Sequence, residues 1–141
     1  MPASVDRKSI TLEAAHTAIN AAAQKAQEIG VPMAIAVVDP DGTLKAFSRM
    51  DGAALLAVRI AQQKAWTAIS FNLPTHGLWE FIKDDAPLLH SLPHQEDMIL
   101  FGGGYPIKIE GQVIGGIGVS GGHYTQDQQC AEAGLAAIGA S

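Results

Sequence analysis

Lys64 interrupts a stripe of small residues, Ala57, Ala61, Ala65 and Ala68, that otherwise repeats at helical spacing. An ammonium on so apolar a face needs a carboxylate partner or an anionic ligand, because burying it unpaired is costly. Asp51, in Arg49-Met-Asp-Gly52, is a second candidate; Arg49 and Asp51 can pair with each other or favour the start of the next helix. Lys64 and Asp51, with His123 or Asp127 beside glycine-rich loops, would supply the acid, base and anion clamp of a cofactor-independent enzyme of small-molecule catabolism. His16 sits one turn after Leu12, on the flank of a buried stripe. A neutral imidazole there is a boundary residue, a subunit contact or an axial ligand to iron. His76 and Trp79 are placed to meet a flat aromatic ligand, although a partly buried helix face explains them as well. His90 and His94 lie near Glu96 and Asp97, but Pro93 prevents a regular helix from presenting both imidazoles, so a solvated loop is expected there.

Three glycine strings invite chemical readings. Gly116-Ile-Gly118-Val-Ser-Gly121 satisfies G-x-G-x-x-G, yet a dinucleotide site needs a second parallel strand with an acidic residue about 20 positions on, and too little chain follows. Gly118-Val-Ser120-Gly-Gly122 satisfies G-x-S-x-G, but only His123 and Asp127 follow, almost adjacent to the serine, which leaves no room for a hydrolase triad. Bare sheet faces approached closely by a helix or a flat ligand account for these glycines. Phe101-Gly-Gly-Gly104-Tyr-Pro106 lacks the Lys-Ser/Thr of a phosphate loop and reads as a turn or as backbone lining a concave site.

These residues must be held by one domain, since 141 residues leave no room for a second core of ordinary size. A hydrophobic fraction of 48% with 16% charged residues is that of a globular chain. The net charge of −5 argues against nucleic-acid binding. A single cysteine, Cys130, excludes an intramolecular disulfide framework and fits a reducing compartment. Neither a signal-peptide stretch nor a membrane span is evident, so a cytoplasmic location is expected.

Periodicity predicts helices over Thr11–Glu28, Ala53–Phe71 and Thr75–Lys83. A hairpin joins Pro32–Val38 to Leu44–Arg49 through Asp39-Pro-Asp-Gly42. Asp84–Glu96 reads as loop, Met98–Phe101 as a strand, and Tyr105–Ile109 with Gln112–Ser120 as a second hairpin. Thr125-Gln-Asp-Gln128 has the pattern of a capping box, with a last helix over Gln126–Ile138. Strands joined by hairpins, with helices spread along the chain, imply an α+β fold: an α/β/α sandwich around a mostly antiparallel sheet.

The strings Ile35-Ala-Val-Val-Asp39, Arg49-Met-Asp-Gly52, Gln63-Lys-Ala-Trp-Thr-Ala68, Gly102-Gly-Gly-Tyr-Pro106 and Gly115-Gly-Ile-Gly-Val-Ser-Gly121, with Asp127 and Ala131, come in an order that resembles the GlcG/HbpS-like haem-binding or haem-degrading proteins. These in turn are related to the C-terminal domain of PduO-type cobalamin adenosyltransferases. The resemblance spans nearly the whole chain. It implies a profilin-like fold with a five-stranded antiparallel sheet, assembly into dimers, tetramers or octamers, and binding of a tetrapyrrole, haem or alternatively a corrinoid. On that basis His16 is the candidate ligand to haem iron, and Arg49 or Lys64 would neutralise a propionate. Gly102, Gly103, Tyr105, Gly118 and His123 are further candidate contacts. The rivals are the Lys64/Asp51 enzyme and a structural accessory protein of a catabolic operon.

Overall fold

Thr11 opens the first helix by accepting a hydrogen bond from the Ala14 N–H at 3.1 Å, and Gly30, at φ 85°, closes it in the left-handed conformation glycine tolerates. The computed structural model describes residues 1–141. Its elements run α1 (Leu12–Ile29), β1 (Ala34–Val38), β2 (Leu44–Arg49), α2 (Leu55–Phe71), α3 (Thr75–Ile82), α4 (Ala86–Ser91), β3 (Gly104–Ile109), β4 (Gln112–Ser120) and α5 (Tyr124–Ala137). No helix is long and apolar enough to cross a membrane.

The strands form one antiparallel sheet in the order β2-β1-β4-β3. Side chains alternate between its faces, and the two faces differ in bulk. Ile35, Val37, Ile107, Ile117 and Val119 point with Tyr105 into the main core, against Ala15, Ala18, Ile19 and Ala22 of α1 and Cys130, Ala131 and Leu135 of α5. The other face carries Ala34, Ala36, Gly116 and Gly118, and the Ala57–Ala61–Ala65 stripe of α2 lies directly on it. A Cβ on Gly118 would stand 1.9 Å from the Ala61 carbonyl oxygen, so this glycine sets how closely helix and sheet approach. The G-x-G-x-x-G string is therefore a packing surface.

The sheet has four strands, not five. Along the outer edge of β3 the Gly104 N–H donates to the Thr75 hydroxyl (3.0 Å), Pro106 has no N–H, and Lys108 exchanges two backbone hydrogen bonds with Ser141. The outward N–H groups at these alternate positions are the donors a fifth strand would pair with, and each is already engaged or absent. Met98–Phe101, expected as that strand, is tied instead to α2: Thr67 Oγ1 donates to the Asp97 carbonyl (2.7 Å) and accepts from the Ile99 N–H (3.1 Å). Asp84–Glu96, expected as loop, contains α4, started by Asp85 accepting from the Leu88 N–H, and a 3-10 turn at Leu92–His94. The last helix begins earlier than the capping pattern suggests. His123 Nδ1 accepts from the Thr125 N–H (3.3 Å), while Gln126 Oε1 accepts from the His123 N–H (3.0 Å). An imidazole here does the work usually done by Ser, Thr or Asp.

Candidate functional site

Lys64 leaves α2 on one side of the sheet and meets Asp127 of α5 on the other, at the end of β4. Its Nζ donates to Asp127 Oδ2 at 2.8 Å and to the Val119 carbonyl at 2.9 Å. Asp127 Oδ1 accepts from the Gly122 N–H at 3.0 Å, and the Phe101 ring centroid lies 4.7 Å from Nζ. The two side chains are 0% and 2% exposed. Burial holds the Lys64 ammonium below its ordinary value against the pull of Asp127, and burial lifts the Asp127 carboxyl against the pull of Lys64. Gly103 makes the room: a Cβ there would stand 2.6 Å from Nζ and 2.9 Å from Asp127 Cβ. Gly102 likewise admits Gln128, whose Oε1 would lie 1.9 Å from an added Cβ.

The need for a carboxylate or an anion around Lys64 is thus met from within. With no exposed surface and its charge already paired, Lys64 does not reach a propionate or a substrate carboxylate from solvent. Asp51 lies exposed in the turn after β2 and forms no ion pair, while Arg49 Nη2 donates to the Ala53 carbonyl at 3.4 Å rather than to Asp51. Lys64 and Asp51 are therefore not assembled into one acid–base centre.

The remaining candidates are dispersed. Gly118 is pressed against α2 and offers no ligand surface. Tyr105 points into the core and donates to Glu132 Oε1 at 2.8 Å; burial, aided by Glu132, pushes its phenol well above the ordinary range. His123 is committed through Nδ1 to the α5 cap, and its ring lies on Tyr124 with centroids 4.1 Å apart. His76 meets Tyr105 edge-on at 5.6 Å, and its Nδ1 is buried without a partner. His90 and His94 are exposed, and no three His, Cys, Asp or Glu side chains cluster as metal ligands would. His16 stands apart from all of these. It is exposed on α1 and, unlike Thr11 and Thr17 nearby, which bond to helix backbone, forms no hydrogen bond.

Two of the surface hollows bear on these candidates. The larger, about 640 Å³, lies between the β1–β2 turn and α2, with Leu44, Leu56, Arg59 and Trp66 in its lining. The smaller, about 240 Å³, is a shallow depression where Phe101 and Ser120–Gly122 lie over Asp127. Neither is lined by a histidine.

The sequence pattern of a haem-degrading HbpS-like protein matches residues 10–136. The chain belongs to the HbpS-like family. An HbpS-like domain also occurs within larger proteins: the corrinoid adenosyltransferase PduO of Citrobacter freundii is 38% identical over 131 residues, which is 92% of this chain but only 39% of that relative. Among solved structures, Klebsiella pneumoniae ORFY superimposes with a TM-score of 0.91 at 36% identity, covering 99% of this chain and 97% of that one. A PduOC–haem complex superimposes with a TM-score of 0.85 at 33% identity, covering 94% and 97%. For the HbpS-like fold the resemblance seen in the sequence strings holds, with the strand count corrected. What sequence reasoning missed was the partner of Lys64 and the hollow at Arg59 and Trp66. A lone lysine among alanines signalled the first; nothing local signals the second, which arises where a hairpin turn meets a helix.

Proposed function

We propose that this chain binds a haem-type tetrapyrrole, with the His16 imidazole as the ligand to iron and a second copy of the chain completing the site. The observation that carries this is the exposed, unengaged imidazole of His16 on α1, in a chain whose fold matches that of a PduOC–haem complex. Bound haem would supply an iron centre, and the neutral His16 imidazole nitrogen would hold it. The donor set fits that requirement: His16 is committed to nothing else, and Leu12, one turn before it and 49% exposed, offers apolar surface for a flat ring. Neither the hollow at Arg59 and Trp66 nor the one over Asp127 adjoins this exposed helix face, so the opposing wall is assigned to a second copy of the chain. Oligomerisation therefore belongs to the same proposal.

The propionate role is divided by the sheet. Arg49 follows the parity of Phe47, which packs on the α2 side, whereas His16 belongs to the α1 side. Within one subunit the two do not face the same macrocycle, so any Arg49 contact comes from the second copy. Haem titration followed in the Soret region tests the proposal. A saturable, shifted band that is lost in His16→Ala, with the fold intact by circular dichroism, is the expected result; no band, or a band indifferent to the substitution, overturns it. Cobalamin added in competition reads out the corrinoid alternative. Decay of the band with ascorbate and oxygen would extend the proposal to haem degradation, and a stable band confines it to binding.

A further inference from the structure

The larger hollow has a chemistry of its own. Leu44, Leu55 and Leu56 are 48%, 84% and 63% exposed around it, and Trp66 forms part of its wall, with Gly42 of the hairpin turn pressed so close that a Cβ would stand 2.9 Å from Trp66 Cδ1. Its polar groups are largely fixed in advance. Gln62 Nε2 donates to the Val58 carbonyl (3.0 Å), and Gln63 Nε2 donates to Asp97 Oδ1 (3.3 Å). Arg59 is the exception: it enters none of the chain's ion pairs, although the Asp97 carboxylate also lines the hollow, where it accepts from Gln63 rather than from the guanidinium. A volume of about 640 Å³ is that of a small-molecule site.

We propose that this hollow is a second binding site, for a flat, apolar molecule bearing one carboxylate, anchored by Arg59 and packed on Trp66 and the exposed leucines. An unpaired guanidinium offers two parallel N–H donors to a carboxylate, and aromatic and leucine walls offer apolar contact to a ring. The site is independent of the His16 face, because α2 and α1 cover opposite faces of the sheet. A second copy of the chain would also bury Leu55 and Leu56, but it would not explain a concave site with one free cation and prefixed amides.

The test uses the full chain, titrated calorimetrically with 2-naphthoate and with the uncharged 2-naphthalenemethanol. The acid is expected to bind about tenfold more tightly than the alcohol, as one charge-assisted contact predicts. Arg59→Gln is expected to abolish that difference, Arg59→Lys to restore part of it, and His16→Ala to leave it unchanged. Arg59 is exposed, so these variants should fold, which circular dichroism checks. Equal affinity for acid and alcohol, or a preference that survives Arg59→Gln, overturns the proposal. So does absence of binding by either, and a smaller sedimentation coefficient in Leu55→Glu would then assign the surface to a second copy of the chain.

Discussion

Lys64 and Asp127 face each other almost wholly removed from solvent, and the strength of their contact is bounded by what it costs to dry both groups. Removing one partner strands the other, whereas removing both leaves an apolar gap that packing can fill. Asp127→Ala is therefore expected to lower the unfolding free energy by about 3–5 kcal/mol, and Lys64→Met with Asp127→Leu to recover most of it, as urea titration would read. The direction of the Lys64 shift sets a pH dependence. Burial holds the folded-state value below the ordinary 10.5, so between that lowered value and 10.5 the unfolded chain binds more protons than the folded one. Stability attributable to Lys64 therefore rises with pH across that window. Wild type should gain on the Met/Leu double variant between pH 7 and pH 10; a constant difference would show that Lys64 does not titrate there. Of this pair, the lysine was legible in the sequence, because nothing else explains a cation in an alanine stripe. Its partner stands 63 residues away, beyond the reach of spacing.

The elements around this pair are shaped by absent side chains. A methyl on Gly118 would meet backbone atoms of Ala61 and Ala65, which no rotamer change can move, so α2 would have to lift from the sheet. Gly118→Ala should cost about 3 kcal/mol or more, at the upper end for overpacking. Gly77 is the contrasting case, helical and with only ordinary contact to Pro74 at 3.5 Å. Gly77→Ala should stabilise by about 0.5–1 kcal/mol, and thermal melts of the two variants should move in opposite directions. Helices α1 and α2 and both hairpins could be read from periodicity and turn residues, since their signals are local. The strand count could not, because β3 is closed as an edge by Thr75 and Ser141, each distant in sequence, and by the missing N–H of Pro106. The start of α5 was misplaced because His123 acts as a cap, a role its residue type does not advertise.

At the scale of the molecule, the two candidate binding surfaces look away from each other, His16 outward from α1 and Arg59 outward from α2. If the His16 surface is completed by a second copy, haem affinity should fall on dilution through the subunit dissociation range, and bound haem should in turn suppress dissociation in sedimentation velocity. Affinity independent of protein concentration would limit the site to one subunit. The order of glycine and alanine strings made the family legible, but those strings mostly record how helix and sheet approach each other and say little about which side chain meets a ligand. The Lys64–Asp127 contact also governs how the molecule can come apart. It joins helices from opposite layers, so neither α2 nor α5 can detach without leaving an unpaired charge behind. Detaching either helix alone therefore carries the added cost of a stranded charge, about 3–5 kcal/mol, and the buried amides of α2 and α5 are expected to exchange with deuterium at similar rates in the wild type and at diverging rates in the Lys64→Met, Asp127→Leu variant.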